Sequence, residues 1–172
     1  MNSKPVLFAI LLLGSLTLFA QPAPAPVAPA VRATPATVTA ENLTWYTSLE
    51  QAQTAAQAKN LPILIDFTGS DWCIWCKRLG DEVFSQPEFK AYTNTSMILV
   101  RIDFPRGFRS LPAEEQQYRK DLQERFAIEG YPTVILTDAK GVEIARTGYQ
   151  EGGAASYVTH LKGLLAEPKG AK

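Results

Sequence analysis

The residues of this chain best suited to chemistry are two cysteines, Cys73 and Cys76, in the stretch Trp72-Cys73-Ile74-Trp75-Cys76-Lys77. Placed at the start of a helix, this spacing sets the thiols one turn apart. The unpaired amide N–H groups and the helix dipole then stabilise a thiolate on the first sulfur. Cys73 is the expected nucleophile toward a disulfide, and Cys76, expected to be the more buried, resolves the mixed disulfide. The spacing alone leaves two other readings open, half of a zinc site and two unrelated core cysteines. The chain has two cysteines and one histidine, His160. That is too few for a four-cysteine zinc site or a histidine-based zinc or copper site, so no metal and no cofactor are expected. Copper delivery by the thiolate pair is weakened by the same lack of histidine and methionine ligands nearby. Two cysteines also fall short of the multi-bridge framework of small secreted domains.

A helix opening at Cys73 needs a strand and a turn to deliver it. The run Ile63-Leu64-Ile65-Asp66-Phe67 after Pro62 reads as a strand covered on both faces, with Asp66 as its anomaly. The turn Thr68-Gly69-Ser70-Asp71 follows, and Cys76, Leu79, Val83 and Phe84 then fall on one helical face. Upstream, Leu43 to Tyr46 reads as a short strand. Ser48 with Gln51 suggests a capping box for a helix that runs to Asn60. Downstream, the pattern predicts a strand over 97–103, a surface loop over 104–112 and a helix over 113–128 stopped by Gly130. A hairpin of strands 132–137 and 142–147 turns at Asp138-Ala139-Lys140-Gly141, and a last helix spans about 154–167. Helices between strands imply parallel crossovers, and the hairpin implies one antiparallel pair. The fold class is therefore α/β, a mixed central sheet with helices on both faces.

A length of 172 residues with 46% hydrophobic and 10% aromatic content suits a single packed core. Seventeen basic residues balance seventeen acidic ones, which excludes a broad field drawing the protein to nucleic acid or an anionic membrane. The N-terminus carries Lys4 and then an apolar run from Val6 to Ala20, so residues 1–20 read as a signal peptide and the mature protein as periplasmic or secreted. The alternative is an N-terminal membrane anchor, although the run is shorter than the roughly 20 residues that span a bilayer. Residues 21–42, with Pro22, Pro24, Pro26, Pro29 and Pro35 among alanines, read as a linker. The folded domain is placed at 43–168 and a tail at 169–172.

The segment from Asp66 through Lys77 resembles the active-site segment of the thioredoxin superfamily, and the resemblance covers nearly all of 43–167. With Val83-Phe84-Ser85-Gln86-Pro87-Glu88-Phe89 included, the match is to the C-terminal domain of the periplasmic transmembrane disulfide reductase and related thioredoxin-like bacterial proteins. The resemblance implies a thioredoxin fold and a monomeric thiol-disulfide oxidoreductase. It would act on the thiols and disulfides of exported proteins, reducing in preference to oxidising, with electrons from a membrane-bound donor. Asp66 then matches the buried carboxylate that exchanges a proton with the second cysteine, and burial in an apolar strand raises its pKa. Its alternative is a strand-end aspartate facing solvent. Tyr131-Pro132-Thr133 matches the family's cis-proline loop, where the backbone pairs with substrate, the alternative being a trans proline that begins a strand. Trp72, Tyr131 and Pro132 are the expected substrate-binding residues, while Trp75 is less usual there and has simple packing as its reading. The sequence departs from thioredoxin in its Ile74-Trp75 dipeptide and in the lysine that pairs with the buried aspartate. That lysine aligns near Leu99, with Arg101 a partial substitute. A function of another class stays open, a non-catalytic binding module whose cysteines form a structural disulfide.

Overall fold

A computed structural model describes residues 43–166. The expected signal peptide, linker and tail lie outside them. The elements run β1 (Trp45–Tyr46), α1 (Leu49–Lys59), β2 (Ile63–Thr68), α2 (Ile74–Leu79) continued by a π-helical turn (Gly80–Phe84), then α3 (Pro87–Ser96), β3 (Ile98–Asp103), α4 (Ala113–Arg125), β4 (Thr133–Thr137), β5 (Glu143–Thr147) and α5 (Gly153–Ala166). The strands form one mixed sheet in the order β1-β3-β2-β4-β5.

Every residue of β2 is buried, as its apolar run, interrupted only by Asp66 before Thr68, requires. The pleat sends Ile63, Ile65 and Phe67 to one face, where they pack with Leu49, Ala52 and Ala56 of α1 and Leu122 of α4. Leu64 goes to the other face, with Leu79, Val83, Phe89 of α3 and Tyr157 and Leu161 of α5. Helices therefore cover both faces, and the helix that begins after Cys73 lies on the Leu64 side. Ser48 caps α1 by accepting the Gln51 N–H at 3.2 Å, and Asn60 ends it in the left-handed region at φ 52°.

One helix is new and two local expectations are corrected. First, α3 is a helix that the polar run Thr93-Asn94-Thr95-Ser96 conceals. Pro87 opens it, and Phe89 and Thr93 are its only buried residues, too few for a visible stripe. Second, α4 ends at Arg125, short of Ile128, and Ala127 takes the left-handed conformation (φ 47°) with Gly130 uninvolved. The Ile128 N–H reaches back to the Gln123 carbonyl at 2.9 Å, satisfying an end-of-helix acceptor. Third, β4 runs antiparallel to β2 as well as to β5, so the sheet has two antiparallel pairs, one more than the hairpin alone implies. β3 ends at Asp103 beside Thr68 and β4 starts at Thr133 beside Phe67, so after α4 the chain re-enters the sheet at the end it left.

Candidate active site

The segment that carries Cys73 is pinned before the helix starts. The Phe104 N–H donates to the Thr68 carbonyl at 2.8 Å, and the Ser70 N–H and hydroxyl donate to the Asp103 carboxylate at 2.9 and 2.7 Å. Asp71 accepts the Arg106 N–H at 3.0 Å, and the Cys73 N–H donates to the Gly69 carbonyl at 2.9 Å. Cys73 is itself the N-cap of α2, extended at φ −81° and ψ 115°, and its Sγ accepts the Cys76 N–H at 3.2 Å. A side-chain acceptor at this position takes up one of the helix's unpaired N–H groups. Cys73 and Cys76 are joined as a disulfide with their Cα atoms 5.2 Å apart.

Across from the sulfurs lies the Tyr131–Pro132 peptide, which is cis. The Tyr131 carbonyl oxygen is 3.6 Å from Cys73 Sγ. That carbonyl covers Cys73, and the two cysteines are almost equally buried, 7% and 6% exposed, where a clear difference was expected. Trp72 is 43% exposed, donates its indole N–H to the Phe104 carbonyl at 2.7 Å and sets its ring edge-on to Tyr131. Tyr131 leans in turn on Phe104, which stacks on Phe108. Burial pushes the Tyr131 hydroxyl up from its ordinary pKa, so it stays neutral.

Trp75 does not pack into the core. It is 48% exposed and lines a groove of about 650 Å³ together with Tyr131, Pro132, Tyr149, Gln150 and Glu151. With Trp72 and the 68% exposed Ile74 it leaves three large apolar side chains in the solvent around the disulfide.

Asp66 is on the Leu64 face of β2, the face that packs against the helix following Cys73. Its residue is 2% exposed, which rules out the solvent-facing alternative. Burial pushes the carboxyl up to about 6, with the Arg101 guanidinium opposing that rise and the Asp103 carboxylate adding to it. Arg101 is directly opposite in the β2–β3 register, and its Nε reaches Asp66 Oδ2 at 3.1 Å. The guanidinium also lies 4.2 Å from the centre of the Trp45 ring. Asp66 Oδ1 is buried with no hydrogen-bond partner.

Of the residues singled out from sequence, Cys73, Cys76, Trp72, Tyr131 and Pro132 are brought together around one disulfide. Asp66 approaches that helix from the sheet beneath. Sequence reasoning missed Tyr149, Gln150 and Glu151, which follow β5 and carry no motif, and Phe104, hidden in a segment read as surface loop yet buried. Among the described residues no group of three or more His, Cys, Asp or Glu side chains is placed to hold a metal ion.

A family model described as a thioredoxin-like domain matches residues 49–158. Among individual relatives, the chain is 34% identical over 128 residues to the disulfide bond reductase DsbH of Chlamydia pneumoniae, covering 74% of this chain and 76% of that protein. It is 32% identical over 113 residues to the thiol:disulfide interchange protein DsbD of Cronobacter sakazakii, covering 64% of this chain but only 18% of that much longer protein. A solved structure of a DsbH oxidoreductase superposes with a TM-score of 0.68 at 33% identity, covering 74% of this chain and 87% of that one. With the Cys73–Cys76 pair capping a helix opposite a cis proline on a mixed five-stranded sheet, these matches show that the chain belongs to the thioredoxin-like domain family.

Proposed function

We propose that this protein is a thioredoxin-like oxidoreductase that reduces or exchanges disulfides of exported proteins through Cys73 and Cys76. The observation that carries the reading is the Cys76 N–H held 3.2 Å from Cys73 Sγ, a donor that favours the thiolate once the pair is reduced. The Cys73 thiolate attacks one sulfur of a substrate disulfide, forming a Cys73 mixed disulfide and releasing the other substrate sulfur as a thiolate. Cys76 loses its proton, with Asp66 as the acceptor, and attacks Cys73 Sγ. The second substrate sulfur leaves as a thiolate, and Cys73 and Cys76 end as a disulfide. Two electrons have passed to the substrate, and a donor dithiol restores the pair. Trp72, Tyr131 and Pro132 form the surface on which the substrate chain docks.

The reducing direction follows the named activity of the Chlamydia pneumoniae relative, a disulfide bond reductase. It also follows the Ile74-Trp75 dipeptide, which places no histidine cation beside Cys73. A membrane-bound dithiol protein is the donor, and the protein works as a monomer outside the cytoplasm. Residues 1–20 act as the export signal, 21–42 as a tether, 43–168 as the catalytic domain and 169–172 as a tail. The mass of the exported protein reports the cut after Ala20, and an intact N-terminus would favour a membrane anchor instead.

Reduction of insulin with a dithiol donor tests the activity. Turnover that disappears in Cys73→Ser is expected. No turnover, with Cys73→Ser indistinguishable from wild type, would make the protein a binding module with a structural disulfide. A potential for the Cys73/Cys76 couple near the most oxidising thioredoxin-fold proteins, about −120 mV, would reverse the direction.

A further inference from the structure

One cluster beside the disulfide takes no part in the exchange steps. Trp75, Arg78 and Glu82 project from successive turns of the helix that follows Cys73, and Tyr149 meets them from the segment after β5. Arg78 Nε donates to Glu82 Oε1 at 2.8 Å, and the Tyr149 hydroxyl donates to Glu82 Oε2. The Arg78 guanidinium lies 5.1 Å from the Trp75 ring centre and 5.0 Å from that of Tyr149, while the two rings are 5.4 Å apart. Stability of the helix accounts for only a small part of this arrangement. An arginine four residues before a glutamate is the less favourable order for such a pair on a helix. The cluster does tie two segments that wall the groove, because Trp75 and Tyr149 both line it together with Tyr131 and Pro132. The Tyr149 segment is itself seated against the proline loop, since a Cβ at Gly148 would come within 3.1 Å of the Pro132 carbonyl oxygen.

We propose that Arg78 and Glu82 are positioning residues that hold Trp75 against Tyr149 as a fixed wall of the groove. They thereby give the Cys73–Cys76 pair its preference for disulfides carried on an extended polypeptide over small disulfides. This rests on the exchange reading above. A small disulfide needs only the sulfurs and gains nothing from the wall. A polypeptide segment lies along the groove, and a wall already ordered spares it the loss of side-chain freedom on docking. An indole half exposed to solvent has no core packing to fix it, so the cation set against both rings and the carboxylate bound to it do so. Glu82 is held ionised by the Tyr149 hydroxyl and Arg78, which keeps the cluster intact at neutral pH.

The test compares wild type with Arg78→Met, which keeps an unbranched apolar stem but removes the charge and the bond to Glu82, and with Arg78→Lys. Insulin and hydroxyethyl disulfide serve as the two substrates, and 15N relaxation of the Trp75 indole N–H reports the order of the wall. For Arg78→Met, KM for insulin rises about three- to tenfold with kcat within about twofold, as loss of an exposed cation–π and ion-pair contact implies. The hydroxyethyl disulfide rate stays within about twofold and also verifies that the variant is folded. The Trp75 indole becomes more mobile. Arg78→Lys, with a cation but no Nε–H to bind Glu82 in the same geometry, recovers only part of the effect. Parallel losses on both substrates, an unchanged KM for insulin, or an indole as ordered as in wild type would each overturn the proposal. Wild-type protein inactive on both substrates would defeat the exchange reading instead, and the indole measurement, which needs no turnover, would still judge the clamp.

Discussion

Asp66 makes the stability of the oxidised protein depend on pH in a direction opposite to that of an ordinary surface carboxylate. Its pKa rises from 3.8 to about 6 on folding because burial disfavours the charged form. The folded state therefore holds this proton more tightly than the unfolded state. The stabilisation is complete below pH 3.8 and is lost as pH rises through about 6. At about 1.4 kcal/mol per pH unit, the gap amounts to about 3 kcal/mol, of which somewhat over 2 kcal/mol disappears between about pH 4 and pH 7. Urea unfolding of the oxidised protein across that range isolates the effect, since disulfide-bonded Cys73 and Cys76 do not titrate. The wild-type curve minus that of Asp66→Asn should slope downward with pH by that amount, whatever constant offset the asparagine introduces through its own packing. Glu50 and Glu82, whose pKa values are lowered, contribute the opposite slope at the acid end, and the subtraction removes them. A flat difference, or one rising with pH, would mean that Asp66 is ionised in the fold at no cost, and the proton-acceptor role built on it would fail.

Three further outcomes follow from the same geometry. Arg101→Met removes the cation that opposes the burial effect, so the Asp66 carboxyl should titrate above about 6, readable as an upward shift in its 13C titration curve. Gly69→Ala places a methyl group inside the Trp72 indole, which must swing away from the Phe104 carbonyl. The loss of that hydrogen bond costs about 1 kcal/mol in thermal or urea unfolding, and an unchanged stability would show that the indole is not held there. Cys76→Ala should accumulate mixed disulfides between Cys73 and substrate chains, visible as adducts that collapse on reduction, whereas Cys73→Ser should form none.

Much of this molecule was legible in its residues because local patterns decide local structure. The apolar run of β2, the cap at Ser48 and the stripes of α1 and α5 all stand where local pattern places them. The cysteine pair was legible because its chemistry needs a helix start, and the sequence supplies a strand and turn just before one. What escaped depends on relations between distant segments. The direction of β4 is set by how the chain returns around α4, which no local pattern encodes. Helix α3 buries too little to leave a stripe. The groove wall at Tyr149 arises only when β5 is laid beside β4, and Trp75 read as a packing residue because its partner was invisible. Arg101 was expected as a partial substitute for the missing lysine. The strand register places it directly across from Asp66, close enough for an ion pair.

Disulfide exchange depends most on an ionised, reachable sulfur at Cys73, and the pH dependence of iodoacetamide labelling in the fully reduced protein measures it directly. The prediction is that Cys73 is alkylated first and well ahead of Cys76, with a half-maximal rate at a pH clearly below the roughly 8.5 of a free thiol. Labelling of Cys73 no faster than in urea-denatured protein, with an ordinary thiol pKa, would contradict it.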